Sequence, residues 1–143
     1  MEIKAILEKP YTEEEKLNFI VEQNHNFGYE IKETDKALEA WGYTEEELEY
    51  KEKERIGNLK LTGSDVERGI YQAKGMDFDD ILAYVTQLQP QGLDIKALKI
   101  ELKANHFYRG NPYVSAIGQL LGFTEEQLDR FFETNDYTFL MPT

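Results

Sequence analysis

Gly42-Tyr43-Thr44-Glu45-Glu46-Glu47-Leu48 is one of three copies of a small unit that punctuates the chain. The others are Gly75-Met76-Asp77-Phe78-Asp79-Asp80-Ile81 and Gly122-Phe123-Thr124-Glu125-Glu126-Gln127-Leu128. Each glycine can take the left-handed conformation that closes a helix. The apolar residue after it suits the N′ position, and Thr or Asp follows as N-cap. In the first and third copies Glu47 and Gln127 stand three residues on and complete a capping box. Leu48, Ile81 or Leu128 can then staple back onto Tyr43, Met76 or Phe123. Acids in the first turn suit the positive end of the helix dipole. Each unit therefore reads as a tight helix-to-helix corner. A fourth start, without the glycine, is Pro10-Tyr11-Thr12-Glu13-Glu14-Glu15.

Working outward from these corners, the signals predict helices near 13–26, 34–41, 45–59, 64–74, 77–88, 94–105, 112–121 and 125–134. Asn111-Pro112 supplies an N-cap and first helical position for the seventh. Residues 2–7, 29–32 and 136–141 read as short strands. Residues 97–103 alternate as a strand would, but Asp94 as cap and the Leu/Lys/Ala content favour helix. The expected fold class is mainly α, a compact multi-helix domain of tight αα-corners with a few short strands at the termini. Residues 1–143 are expected to form a single helical domain, with a candidate subdomain seam in the loop at 87–92.

A chain of 143 residues with 41% hydrophobic and 31% charged residues is globular in composition and long enough for one core. Its 9 Tyr, 8 Phe and 1 Trp exceed what a minimal helical core needs, which leaves aromatic surface for a partner. The absence of cysteine excludes disulfides, thiolate catalysis and Cys-based zinc sites, and fits a reducing compartment. No basic-then-apolar start and no apolar run of roughly 20 residues are present. A cytoplasmic location at synthesis is expected. The formal charge of −12 divides into −7 over residues 1–60 and −5 over 61–143. Such a field repels nucleic-acid phosphates and anionic membranes, so neither is expected as a partner. It also serves solubility, or repulsion between copies until assembly.

From Glu45 to Arg55 nearly every residue is ionised, with Glu47–Lys51 and Glu49–Lys53 spaced for i,i+4 pairs. Leu48, Ile56 and Leu59 form only a thin apolar stripe, as on a solvated surface helix; a partner-docking or oligomer-forming helix is the alternative.

Catalytic chemistry finds little purchase. The two histidines lie in Asn24-His25-Asn26-Phe27-Gly28-Tyr29 and Asn105-His106-Phe107-Tyr108-Arg109-Gly110. A shared metal or acid–base site would need both beside a carboxylate; two helix C-termini are the favoured explanation. Glu22 and His25 have Glu-x-x-His spacing, but a di-iron site needs two copies. Paired acids sit where capping accounts for them, and Asp77-Phe78-Asp79-Asp80 lacks the glycine and closing Glu of a calcium loop. No phosphate-binding glycine loop occurs, and Ser64 and Ser115 lack a histidine pattern. No enzyme activity, metal or cofactor is expected. Residues 116–129 have the look of a DNA-binding helix-turn-helix, yet the would-be recognition helix opens Glu125-Glu126 and offers only Arg130 as a cation.

Phe107, Tyr108, Arg109 and Tyr113 form the first candidate contact surface, since aromatics and Arg are enriched at interface hot spots. Trp41 and Tyr43 join them as candidates. In the alternative, Phe107 and Tyr113 plug the core and Arg109 pairs with an acid.

Four stretches carry a resemblance: 8–13, 37–44, Tyr108-Arg109-Gly110-Asn111-Pro112 and the 116–129 corner. In them the chain resembles small uncharacterised phage and prophage proteins of Gram-positive bacteria, encoded near tail genes. The resemblance implies a context, virion assembly or host takeover, and no catalytic residues. Two functions follow as expectations. One is a non-enzymatic tail-region assembly or accessory protein acting through contacts with a virion or host protein, as a homo-oligomer. The other is an acidic decoy that inhibits a host nucleic-acid-binding protein.

Overall fold

A computed structural model describes residues 1–142. Among them the chain is mixed α/β, with seven helices and two small antiparallel sheets. It divides into two compact units, residues 1–52 and 53–143. The boundary falls at Glu52/Lys53, whereas the loop at 87–92 lies inside the second unit.

In the first unit, strand β1 (Glu2–Glu8) is followed by helix α1 (Glu13–Ile20), which runs on as a π-helix over Val21–Asn26. Strands β2 (Glu30–Glu33) and β3 (Ala37–Gly42) complete a sheet of order β1-β3-β2. Thr12 and Glu15 close a reciprocal capping box at α1. The Tyr11 hydroxyl donates to Glu33 at 2.6 Å, which ties the start of α1 to the end of β2.

The helix expected at 34–41 is instead the central strand. Ala, Leu and Glu favour helix intrinsically, but that preference is a weak prior against tertiary context. Thr34 Oγ1 accepts from the backbone of Lys36 and Ala37, turning the chain sharply between β2 and β3. The next residues then pair on both sides: Ala40 lies opposite Ala5 and Ile31, and Leu38 opposite Leu7 and Glu33. Leu38 and Ala40, two apart and therefore on one face, are fully buried. The Gly42 unit is consequently a strand-to-helix corner. Thr44 and Glu47 still exchange their capping bonds, at 3.1 Å each, and open helix α2 (Glu45–Gly57).

The second unit contains β4 (Lys60–Thr62), α3 (Gly63–Lys74), α4 (Phe78–Leu88), α5 (Ile95–Glu101), β5 (His106–Tyr108), α6 (Pro112–Leu120) and α7 (Glu125–Thr134). The two later corner units are helix-to-helix turns as expected, with Gly75 at φ 72° and Gly122 at φ 85°. Asp77 and Asp80 also form a reciprocal box, which the Thr/Glu pattern does not anticipate. Asp94 caps α5 and Asn111 caps α6 with Pro112 just inside, both as expected. Strands β4 and β5 pair antiparallel, with Leu61 opposite Phe107. Residues 136–141, expected as a strand, form a 3-10 turn (Tyr137–Leu140) because Asp136 accepts from both the backbone and hydroxyl of Thr138. The turn buries Leu140. One apolar core joins Leu61, Ile70, Ile81, Val85, Leu98, Phe107, Ile117, Leu128, Phe131 and Leu140. Among the described residues, no helix is long and apolar enough to cross a membrane.

Candidate functional site: an aromatic groove on the first unit

Phe107 is 4% exposed and belongs to the core, where its ring meets Phe78 edge-on at 5.8 Å. Arg109 is 6% exposed, a buried charge. Its Nε donates to Asp129 at 2.7 Å, one terminal nitrogen donates to Ser115 Oγ at 3.0 Å, and the other reaches the Glu125 carboxylate and its carbonyl. Ser115 in turn donates to Glu125 at 3.1 Å. The Arg109 guanidinium, assisted by Ser115, holds the Glu125 carboxyl below its ordinary value. A planar fork bonded to two carboxylates and a hydroxyl is an internal clamp between the β5–α6 loop and the first turns of α6 and α7. Tyr113 is half-buried against the core. Of this cluster only Tyr108, at 45% exposure, offers a ring to solvent. The residues opening the would-be recognition helix, Glu125 and Asp129, are turned onto Arg109.

The other two candidates, Trp41 and Tyr43, line a groove of about 430 Å³ wholly within the first unit. It sits at the end of the sheet where β1 and β2 begin and β3 finishes. Its walls are Phe27, Tyr29, Trp41, Tyr43 and Leu48, with Met1, Lys4, Glu30 and the glycines 28 and 42. Phe27 is 59% exposed, Leu48 52% and Tyr43 40%. Large apolar side chains left in water in one concave patch mark a contact surface more often than scattered ones do.

Local chemistry sets each wall. Where the π-helix ends, Gly28 N donates to Asn24 O and Tyr29 N to Gln23 O, both within 2.9 Å. The Asn24 side chain then donates to the Tyr29 carbonyl at 2.7 Å. This closure brings Phe27 and Tyr29, on either side of Gly28, together with their rings stacked at 5.7 Å. π-helical turns recur at functional sites because the extra residue redirects side chains. Trp41 is fixed by an indole N–H bond to Glu39 at 3.1 Å, with the Lys32 ammonium 4.8 Å from the ring centre. The ammonium of Lys51, on α2, lies 3.7 Å from the centre of the Tyr43 ring, which precedes that helix. Glu47, spaced for an ion pair with Lys51, instead accepts from Thr44 N and the chain's amino group, and its carboxyl is held down at about 2.

No family model, curated protein or solved structure matches the chain. The residues themselves therefore carry the reading. Phe27 and Tyr29 belong to the run 24–29, in which the histidine is the more conspicuous residue. That aromatic-glycine run was the available signal. His25 lies in the last turn of the π-helix, whereas His106 opens β5 rather than ending a helix and packs edge-on against Tyr108 at 5.7 Å. Among the described residues no group of three or more His, Asp or Glu side chains is placed to hold a metal ion.

Charge follows the units rather than the halves. Residues 1–52 hold 15 acids and 6 bases (−9), and residues 53–143 hold 13 and 10 (−3). The even spread obtained by cutting at residue 60 moves Glu54, Lys53, Arg55 and Lys60 to the wrong side and hides this concentration.

Proposed function

We propose that this chain is a non-enzymatic phage or prophage protein that works through protein–protein contacts, as a tail-region assembly or accessory protein, with the aromatic groove as its contact surface. The observation that carries the proposal is the exposure of Phe27, Tyr43 and Leu48 around one concavity. Aromatic anchors in a pocket dominate binding energy at protein interfaces. Buried Arg109 and Phe107 already have partners inside the second unit, so the contact role passes from that cluster to the groove.

The concentration of −9 in the first 52 residues favours a second reading, the acidic decoy of a host nucleic-acid-binding protein. Both readings are tested by affinity purification of the tagged chain from cells in which its native genome is active, with a Phe27→Ala/Tyr43→Ala variant alongside. Virion components lost by the variant support the assembly role. A host DNA-handling protein, released by salt and retained by the variant, supports the decoy. Virion components retained by the variant contradict the groove as contact surface.

A further inference from the structure

The chemistry of the groove narrows what it accepts. Its lining holds four aromatic rings, one carboxylate, Glu30, and two cations, Lys4 and the chain's amino group, which are already bonded to Glu2 and Glu47. Two of those rings attract ammonium groups within this chain: Lys51 sits on Tyr43 and Lys32 on Trp41. Neither lysine lines the groove. The surrounding unit carries −9. Aromatic faces attract cations through the ring quadrupole, and more strongly when the cation is partly desolvated. A negative field around them raises the local concentration of cationic partners and repels anionic ones. Beside the groove, β2 is an edge strand of four residues that pairs, among the described residues, with β3 alone.

We propose that the groove docks a cationic, extended segment of a protein partner, whose Arg or Lys side chains stack on Tyr43 and Trp41 and pair with Glu30. This rests on the groove being the contact surface and adds the chemistry of its occupant. Peptide segments recognised in extended form commonly combine pockets for side chains with an open strand edge. Arg suits the site better than Lys, because its planar guanidinium stacks on a ring and is more weakly hydrated.

The chain's single tryptophan lines the groove, so its fluorescence reports occupancy in the intact protein. The probes are short synthetic Gly/Ser peptides carrying Arg, Gln or Leu at alternate positions. The Arg peptide is expected to give a saturable change in Trp41 emission, and the Gln and Leu peptides none. Binding is expected to weaken at least about tenfold in Phe27→Ala/Tyr43→Ala, to weaken in Glu30→Lys, and to fall at about 1 M salt, where the screening length is about 3 Å. Circular dichroism melting confirms that both variants stay folded, since all three side chains are exposed. Equal binding of the Leu peptide would overturn the proposal in favour of an apolar occupant. Undiminished Arg-peptide binding by the double variant would reduce it to charge alone. No saturable change, or closure of the groove by a second copy at high concentration, would also overturn it. Silent peptides together with a cellular partner that the double variant loses would remove the cationic occupant and leave the docking surface standing. A partner retained by that variant would remove the docking surface itself.

Discussion

The Tyr29 ring lies directly over Gly42: a Cβ at residue 42 would stand 2.8 Å from both Tyr29 Cδ1 and Cε1, and 3.0 Å from Lys4 Cγ. The absence of a side chain at the end of β3 is what lets one aromatic wall of the groove fold down onto the sheet.

Gly42→Ala is therefore expected to tilt Tyr29 away and disrupt its stack with Phe27. Overpacking of this kind costs about 1–3 kcal/mol. Because the only tryptophan is the neighbouring Trp41 in the first unit, its emission should shift in the native state and its denaturant midpoint should fall. An unchanged emission and midpoint would show that the ring is not held there.

Arg109→Ala should destabilise the second unit by about 2–4 kcal/mol, through loss of the charge-assisted bonds to Asp129, Ser115 and Glu125. The two carboxylates are partly exposed and can rehydrate, which keeps the loss below that of a fully buried pair. Arg109→Lys should recover only part of it, since an ammonium cannot reproduce the fork. Urea unfolding followed by circular dichroism measures both, and a loss within error of zero for Ala would contradict the clamp.

Acidification should weaken the same clamp. Glu125 has its folded-state pKa lowered, first by the hydrogen bond to Arg109, from the ordinary 4.5. A depressed carboxyl contributes stability that is fully present above 4.5 and is lost as pH falls through the lower folded value. Glu125→Gln should accordingly flatten the decline of stability below that pH. A slope identical to that of the unsubstituted chain would exclude Glu125 as a contributor.

Thr124 Oγ1 accepts from Gln127 N at 3.1 Å, while Gln127 Oε1 accepts from Thr124 N at 2.9 Å. Thr124→Ala should cost about 1 kcal/mol in the unfolding of the second unit. The spacing-matched change Thr124→Ser should cost less, and an equal loss for both would shift the explanation away from the cap.

Helix starts were legible because capping is local chemistry: Thr12, Thr44, Asp77, Asp94, Asn111 and Thr124 all open helices. The central strand at 37–42 was not, because its burial depends on β1, some 30 residues earlier, and its Ala/Leu/Glu composition favours helix when read alone. Strands β4 and β5, three residues each, are too short to show a period. Trp41 and Tyr43 could be marked as candidates from composition. Their neighbours Phe27 and Tyr29 could not be joined to them, since only the pairing of β2 with β3 brings those segments to one end of a sheet.

The most direct test of the groove is quantitative recovery of the cellular partner by three tagged forms of the chain: unsubstituted, Phe27→Ala/Tyr43→Ala and Tyr108→Ala. If the groove is the contact surface, the double variant loses the partner by at least about tenfold while Tyr108→Ala, exposed on the second unit, recovers it undiminished. Retention by the double variant and loss by Tyr108→Ala would place the contact on the other unit and contradict the account.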